Sequence, residues 1–357
     1  MKYYFAPMEG ITTHVFRAVH SRRFPGADRY YTPFFSPTSD HLFTPRELRE
    51  LTPEMRCAAP VVPQILSKCA ADIVWAAEGL QDMGYTVFNL NLGCPSATVT
   101  AKGKGAGLLQ KPDALDTLLA DVFAASPIAV SLKSRIGYLA PEEFPRLLSI
   151  YRQYNAQELI LHPRTRKEMY SGAVHMDAFA LAAAGSPFPV VYNGDLFTAE
   201  DIRAFEAAHL ETEAVMLGRG AAADPALFRR LRGGAAASRE ELRQFHEELY
   251  EAYRAELGGV NAMRKMKELW HYLATLFIGG DELAKKIART KDVYKFNDYV
   301  SEALSNLPLR SGEEESKSCR DRKPRQLFSE NMKPFAPLLR KQKYYLKKDA
   351  RYSYFEK

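Results

Sequence analysis

The stretch Val87–Pro95, with the sequence VFNLNLGCP, is a short apolar run that ends in a turn containing glycine and proline. Runs of this kind, rich in β-branched and aromatic residues, recur along the chain. Each is followed by Gly, Pro or Asn and then by a stretch with helical periodicity, which is typical of buried strands that alternate with helices. We predict strands at Tyr3–Ala6, Arg29–Thr32, Val61–Ile65, Val87–Asn91, Ile128–Lys133, Glu158–Leu161, Val190–Asn193 and Ala214–Leu217.

Helical periodicity between these strands predicts helices such as Ala70–Met83, Asp113–Ala125, Pro141–Tyr154 and Ala199–Ala207, several of which have Pro or Thr in the first turn. A strand followed by a helix, repeated eight times, is the order of a (β/α)8 TIM barrel, so the predicted fold class is α/β. In such a barrel the functional residues lie on the loops at the carboxyl ends of the strands.

The composition is that of an ordinary globular protein. The chain has 357 residues, of which 46% are hydrophobic and 26% charged, and this excludes collagen-like, low-complexity and wholly disordered proteins. A single core stops growing near 250–300 residues, so the length indicates one large domain with a smaller addition, or two medium domains.

The net charge of +6 comes from the end of the chain. Residues 310–357 contain 14 Lys and Arg against 7 Asp and Glu, whereas residues 1–309 contain 35 against 36. We predict a barrel over residues 1–235, a small helical domain over 238–307 and a basic, disordered tail over 310–357. In the helical domain an apolar stripe is expected in the core, formed by Met263, Met266, Trp270, Leu273 and Phe277.

The four cysteines show neither a C-x-x-C pair nor a spacing typical of metal ligands, so no metal site or disulfide framework is expected. Pro7 and Glu9 interrupt the amino-terminal segment before the apolar part of a signal peptide is complete. No apolar run reaches the roughly 18 residues needed to span a bilayer. We therefore expect a soluble, cytoplasmic protein, with no membrane partner.

Two glycine-containing turns follow the last two predicted strands. Gly218-Arg219-Gly220 and Asn193-Gly194-Asp195 match the usual phosphate site of such barrels, and both are equally explained as tight turns. Lys133 and His162 follow neighbouring strands and can reach the same bound molecule. A lysine beside a ring carbonyl stabilises an anion that develops there, as a reduced flavin requires.

Cys94 lies in a loop at the expected barrel mouth rather than in an apolar run. Most free cysteines are buried and inert. The loop position and the flanking Gly93 and Pro95 favour a functional thiol, which can serve as an acid or as a nucleophile.

The sequence resembles the tRNA-dihydrouridine synthase family. The resemblance covers residues 1 to about 307, and the ordered set of segments, with Asn-x-Gly-Cys-Pro at its centre, is specific although each segment alone is weak. The matching segments are Ala6–Thr12, Asn89–Ser96, Gly105–Leu109, Lys133–Arg135, His162–Arg166, Tyr192–Asp195 and Gly218–Gly220.

The resemblance implies an FMN-dependent barrel that reduces a uridine of tRNA, in the D-loop, to 5,6-dihydrouridine, with NADPH as the hydride source. Cys94 would protonate C5 after hydride reaches C6, and Asn91 would position the uracil. The cofactor would be held by Pro7, Met8, Gln64, Lys133 and His162, and its phosphate by Asn193, Asp195, Gly218 and Arg219.

A stacked uracil must leave the folded tRNA to reach a flavin, which requires a basic surface for the RNA. Our candidates are Arg164 and Arg166 at the mouth and Arg264, Lys265 and Lys267 on the helical domain. Solvated charge on a helix face explains them equally well. The tail combines cations with tyrosines, which suits RNA binding, but it matches no part of the family and is equally explained as an unselected extension.

Two other functions remain open at this stage. One is an FMN-dependent oxidoreductase of the ene-reductase or dihydroorotate type, with a small substrate. The other is a tRNA-binding module without catalysis. No G-x-G-x-x-G follows a strand, so the sequence does not separate NADPH from NADH. We expect a monomer.

Overall fold

The computed structural model describes residues 1–52 and 57–310. Within them, nine parallel strands form one sheet in the order β3-β2-β1-β9-β8-β7-β6-β5-β4. The strands are β1 Lys2–Phe5, β2 Arg29–Tyr31, β3 Val61–Val62, β4 Gln64–Ile65, β5 Val87–Leu92, β6 Ala129–Arg135, β7 Leu159–His162, β8 Val190–Tyr192 and β9 Ala214–Leu217.

The two ends of this sheet, β3 and β4, are separated along the chain by Pro63 alone. Proline has no N–H to donate, so it interrupts the ladder of what the sequence predicts as one strand, Val61–Ile65. Its carbonyl still accepts a hydrogen bond of 2.8 Å from the Asn89 N–H. The two short strands therefore occupy one position, the sheet closes, and the predicted (β/α)8 barrel is confirmed.

Helices surround the barrel and continue beyond it. The α-helices are α1 His14–Arg23, α2 Pro45–Leu51, α3 Ala70–Asp82, α4 Ala97–Thr100, α5 Pro112–Ala125, α6 Phe144–Tyr151, α7 Met176–Gly185, α8 Ala199–Ala208, α9 Arg219–Ala223, α10 Leu227–Leu231, α11 Arg239–Leu257, α12 Gly259–Leu273, α13 Gly280–Arg289 and α14 Val293–Asn306. Short 3-10 helices lie at Gly105–Gln110, Pro141–Glu143 and Ala274–Leu276.

The predicted helix Pro141–Tyr154 is shorter in the structure. Glu143 accepts hydrogen bonds from the backbone N–H groups of Tyr138, Leu139 and Ala140, at 2.6, 2.9 and 3.0 Å. These bonds hold the preceding segment in a turn, so residues 141–143 form a 3-10 helix and α6 begins only at Phe144.

The strand residues alternate between two cores, because successive side chains of a strand point to opposite faces. The outer core, between strands and helices, takes residues such as Phe88 and Leu90 of β5. The inner core lies inside the barrel and contains Tyr4, Tyr31 and Ile160. The place of a residue in this alternation therefore decides whether its side chain faces the helices or the barrel interior.

The amino end of the barrel is filled by a buried polar group. Glu158, which is 5% exposed and precedes β7, accepts hydrogen bonds from Tyr31 Oη at 2.6 Å and from Arg29 Nη1 at 3.2 Å. The Arg29 guanidinium lies over the Tyr4 ring, 5.0 Å from its centre. The interior is thus packed at this end, and the carboxyl end is the one left for a ligand.

Helices α11–α14 pack onto the barrel. Tyr253 Oη of α11 is 2.6 Å from Thr13 Oγ1, which caps α1. The predicted stripe is confirmed as core, since Met263, Met266, Trp270, Leu273 and Phe277 are all buried. The described residues belong to one compact unit, and the predicted domain boundaries stay a prediction. The predicted disorder of residues 310–357 falls almost wholly outside the described residues.

Candidate active site

The register of the parallel strands collects polar residues at one end of the barrel, which we call the mouth. Asn91 of β5 pairs with Lys133 of β6, and Arg135 of β6 pairs with His162 of β7. Each of the four occupies an inner-face position near the carboxyl end of its strand, so its side chain faces the barrel interior.

Asn91 holds the loop that contains Cys94. Its Oδ1 accepts hydrogen bonds from the backbone N–H of Gly93 at 3.1 Å and from that of Cys94 at 2.9 Å. Backbone N–H groups can only donate, so this oxygen is fixed toward the loop and the Asn91 amide nitrogen must point the other way. Asn91 is 7% exposed.

A chain of amides continues from Asn91 across the barrel. Asn91 Nδ2 donates to Gln64 Oε1 at 2.8 Å, Gln64 Nε2 donates to Asn89 Oδ1 at 2.7 Å, and Asn89 Nδ2 donates to Ser131 Oγ at 2.8 Å. Because the first amide is oriented by the Cys94 loop, each later amide has one possible orientation. Gln64 and Asn89 are fully buried, so the structure places Gln64 as a support of the Cys94 loop.

Lys133 is oriented by Asn193. Asn193 Nδ2 donates to the carbonyl of Met216 at 2.8 Å, which turns its Oδ1 toward Lys133 Nζ, 2.7 Å away. Burial and, to a smaller extent, the nearby charge of Arg135 together lower the pKa of Lys133 to about 7. The Lys133 side chain is therefore only partly protonated at neutral pH, and an anion beside it favours the charged form.

Asp195 lies between two arginines. Its carboxylate accepts hydrogen bonds from Arg164 at 2.9 and 2.5 Å and from Arg219 at 2.8 Å. Burial raises the pKa of Asp195, but the bonds and charges of Arg164 and Arg219 outweigh it, so its pKa is lowered overall. A carboxylate repels an anion, so Asp195 is itself unsuited to contact a phosphate, and what it does here is orient Arg164 and Arg219.

Arg219 and Arg135 share the ring of Tyr170. The Arg219 guanidinium is 5.4 Å from the centre of this ring and 4.8 Å from that of Phe197, and the Arg135 guanidinium is 5.2 Å from Tyr170. Arg135 also donates to the carbonyl of Gly93 at 2.9 Å. Arg135 is absent from the predicted site residues, although its spacing of two from Lys133 places it on the same inner face.

His162 is buried among these cations. It is 7% exposed, and its Nε2 is 3.3 Å from Arg164 Nη1. Burial and the charges of Arg135, Lys133, Arg164 and Arg219 hold its pKa well below the ordinary value. The ring is therefore neutral, with Nε2 unprotonated so that it can accept from Arg164.

Cys94 is half-buried in the loop that Asn91 holds. Burial raises the pKa of its thiol, although the charges of Arg135 and Lys133 act in the opposite direction. A nucleophilic cysteine requires a lowered pKa. This thiol instead keeps its proton at neutral pH, which is the state that an acid needs before it reacts.

Pro7 and Met8 form the opposite wall of the mouth, after β1. The Met8 N–H donates to Thr12 Oγ1 at 2.8 Å, which closes a turn. A Cβ on Gly218 would lie 3.6 Å from Met8 Sδ and 3.5 Å from Ala6 Cβ. Gly218 thus follows β9 directly beneath this wall, and both Pro7 and Met8 remain half-exposed toward the opening.

The residues predicted to bind RNA lie in different surroundings. Arg164 is 1% exposed and belongs to the Asp195 pair, not to an exposed surface. Arg166 is half-buried over the Tyr138 ring and donates to the carbonyl of Pro95 at 3.2 Å. Both arginines thus support the mouth from within.

On the helical segment, Lys265 Nζ donates to the carbonyl of Gly10 at 3.2 Å, joining α12 to the barrel. Lys267 Nζ donates to the carbonyls of Ala288 and Thr290 at the end of α13. Arg264 is exposed. The amino groups of Lys265 and Lys267 are therefore occupied by backbone carbonyls, and Arg264 is the one of the three that faces solvent.

Residues 1–52 and 57–310 contain no group of three or more His, Cys, Asp or Glu side chains arranged to hold a metal ion. In the same part of the chain no helix has both the length and the apolar character needed to cross a membrane.

The dihydrouridine synthase (Dus) family model matches residues 4–306. A tRNA-dihydrouridine(16) synthase of Cupriavidus necator is 31% identical over 325 residues, covering 85% of this chain and 97% of the relative. The tRNA-dihydrouridine synthase B of Pseudomonas putida is 29% identical over 328 residues, covering 86% and 94%. Among solved structures, morphinone reductase aligns with a TM-score of 0.48 and 11% identity over 66% of this chain and 87% of that one. With the match over nearly the whole described chain, this protein belongs to the dihydrouridine synthase family, a class of flavin-dependent oxidoreductases.

Proposed function

We propose that this chain reduces a uridine of tRNA to 5,6-dihydrouridine, with FMN as its resident cofactor, Cys94 as the proton donor and NADPH as the reductant. The observation that supports it best is the state of Cys94. The thiol keeps its proton through burial, yet it lies beside Arg135 and Lys133, whose positive charges stabilise the thiolate left after the proton has gone. A binding module without catalysis has no need of such an arrangement.

The donor set of the mouth fits FMN. Arg135, Arg164 and Arg219 contribute three positive charges, and Lys133 contributes a fourth when an anion beside it keeps it protonated. Asp195 supplies the carboxylate that pairs with Arg164 and Arg219. The excess of positive charge suits an anionic phosphate at the Arg219 end and an anionic ring edge at the Lys133 end. Met8, half-exposed above Gly218, offers an apolar wall against which a flat ring can lie. When bound, the reduced cofactor supplies the hydride that adds to C6 of the uracil.

The chain's own residues complete the reaction at C5. Addition of hydride at C6 places negative charge on the C4 carbonyl and on C5, and the Cys94 Sγ–H donates its proton to C5. The Asn91 amide fixes the loop that carries this thiol. The thiolate that remains is neutralised by a proton from solvent before the next turnover.

The tRNA requires a basic surface outside the mouth. A groove of about 610 Å³ lies along α13 and α14, and we call it the helical groove. Two acids, Glu282 and Asp292, are among its lining residues. Glu282 pairs with Lys285, and the Asp292 carboxylate caps α14 by accepting from the Tyr294 N–H. Tyr294 is 82% exposed beside it, and a ring so placed can stack on a base. The cations of the helical groove are Lys285, Lys286, Arg289, Lys291 and Lys295.

The first experiment identifies the chromophore and the product. Purified protein is denatured, and the released flavin is identified by absorption and chromatography. Unmodified tRNA is then incubated with the protein and NADPH, and dihydrouridine is located by mass spectrometry of nuclease fragments. The first tRNA position to be examined for dihydrouridine is 16, the position that the name of the Cupriavidus necator relative specifies.

Cys94→Ala is the matched variant for this assay. We expect it to retain flavin and tRNA binding and to lose dihydrouridine. A protein that neither contains nor takes up FMN would contradict the proposal. A protein that binds FMN and reduces small enones but leaves tRNA unchanged would instead indicate a small-molecule oxidoreductase.

A further inference from the structure

Two loops at the mouth bring three lysines together beside Cys94. Lys68 follows β4, whereas Lys102 and Lys104 follow β5. The loop after β2 contributes Ser36, whose Oγ accepts a hydrogen bond from Lys104 Nζ at 3.4 Å. These loops all leave the carboxyl ends of strands, so they border the mouth. We call Lys68, Lys102 and Lys104 the lysine rim.

Lys68 and Lys102 lie close enough to Lys104 for their charges to act on it. Lys68 Nζ lies 3.8 Å from the position that a Cβ would take on Gly103, the residue between the other two lysines. Burial lowers the pKa of Lys104, and the charges of Lys102 and Lys68 lower it further, against the opposing charge of Asp72. Like charges held together without a partner are unfavourable, and a bound anion removes that cost.

The acid near the lysine rim already has a partner. Asp72 is 3.2 Å from His41 Nε2, and the His41 ring stacks on Trp75 with centres 5.0 Å apart. Among residues 1–52 and 57–310, Lys68 and Lys102 form no ion pair with an acid, and both are exposed. The lysine rim therefore sets three lysines against the carboxylate of Asp72 and presents net positive charge to solvent.

The lysine rim is next to the reacting thiol. A Cβ on Gly105, the residue after Lys104, would lie 3.1 Å from Cys94 Cβ. The Ala106 N–H donates to the Cys94 carbonyl at 3.1 Å. Lys104 is therefore one residue from backbone that packs against Cys94, so a substrate bound at this thiol lies close to the rim.

We propose that Lys68, Lys102 and Lys104 form a phosphate-binding site that holds a phosphodiester flanking the uridine that enters the mouth. This inference rests on the proposed function. In a flipped nucleotide the base enters the protein while the backbone stays outside, so its phosphates lie at the edge of the pocket. Lys68 and Lys102 are exposed and Lys104 is half-buried, so the three suit that backbone better than they suit the phosphate of a molecule held within the mouth.

The test compares the triple variant K68A/K102A/K104A with the wild-type holoenzyme. We expect the Kd for unmodified tRNA at 0.15 M salt to rise by on the order of tenfold, and the slope of log K against log salt to fall by about 0.7, as for release of one phosphate contact. The rate of flavin reduction by NADPH without tRNA should be unchanged. Lys2→Ala, an exposed lysine at the start of β1 and thus at the other end of the barrel, is the control.

Two further readouts separate the outcomes. The variant K68R/K102R/K104R keeps the charge and should restore the salt slope, which excludes a folding defect as the cause. An unchanged Kd and slope in the triple alanine variant would overturn the inference, and so would a higher KM for NADPH with unchanged tRNA binding. Because tRNA binding is measured directly, a wild-type protein that makes no dihydrouridine would refute the proposed function while the salt slope still tests the site.

Discussion

Removal of Asp195 tests whether the charge pair of the mouth is organised as the structure indicates. Arg164 is 1% exposed and Asp195 is 29% exposed, with 2.5 Å between Arg164 Nη2 and Asp195 Oδ2. Breaking a buried pair by removing one partner costs about 3–5 kcal/mol, since the other charge stays buried. Because Asp195 is partly exposed, water can replace some of its contacts, and we expect Asp195→Ala to lose about 3 kcal/mol of unfolding free energy.

The chain offers a matched control for this variant. Asp113 and Arg146 form an ion pair at the same 2.5 Å, but their side chains are 92% and 64% exposed. Exposed pairs contribute about 0–1 kcal/mol, so Asp113→Ala should change the unfolding free energy by less than about 1 kcal/mol. Both pairs join an aspartate to an arginine at the same atom separation; they differ in burial and in the second arginine, Arg219, that Asp195 also contacts.

Urea unfolding followed by circular dichroism measures both variants, first as purified and then with excess FMN. The second condition separates loss of the ion pair from loss of a bound ligand, because a ligand adds stability only in proportion to its occupancy. A loss below about 1 kcal/mol for Asp195→Ala, equal to that of the control, would refute the argument that Arg164 is a desolvated charge held by this carboxylate.

Three further predictions concern proton and hydrogen-bond positions. Cys94→Ser should lower the rate of dihydrouridine formation by about 10²–10⁴-fold while KM for tRNA stays the same, because a hydroxyl is a weaker acid than a thiol; single-turnover kinetics measures it. Asn91→Leu should lower the same rate and leave flavin content unchanged, because two backbone N–H groups lose the oxygen that orients them; equal rates for variant and wild type would contradict this. The pKa of Asp195 is lowered in the folded protein, so its contribution to stability is present above its ordinary value of 3.8 and is lost as pH falls through the lower folded value. The difference in unfolding free energy between wild type and Asp195→Asn should therefore shrink below about pH 4, and a difference that persists at lower pH would be inconsistent with the ion pair.

The barrel could be predicted because its signal is local. Each strand is a short apolar run with a turn after it, and the carboxyl ends of parallel strands meet at one face, so Lys133 and His162 could be placed at one site from sequence order alone. The break at Pro63 also has a signal in the sequence, because proline has no N–H to donate to the hydrogen-bond ladder between strands. The order of residues along the chain does not show that β3 and β4 still occupy a single position of the closed sheet.

Burial of the charged residues could not be predicted in the same way. Arg164 and Arg219 both follow strands and both suit a phosphate, but the carbonyl of Gly172 accepts from Arg164 as the loop after β7 folds over it. The acid of the Asn-Gly-Asp turn does indicate that one nearby arginine is paired, since a carboxylate in an anion site requires a cation of its own. A sequence does not say which of two arginines provides it.

The lysines of α12 show a second limit of pattern reasoning. A period of 3.6 residues identifies the apolar face of a helix, and Met263 and Met266 lie in the core as that period requires. The remaining face is not automatically solvent, because neighbouring elements end there with carbonyls that lack partners. Lys267 bonds to the carbonyls at the end of α13, where cations are favoured by the helix dipole. A basic residue on the polar face of a helix is consequently available to RNA only where its charged group stays in solvent, as that of Arg264 does.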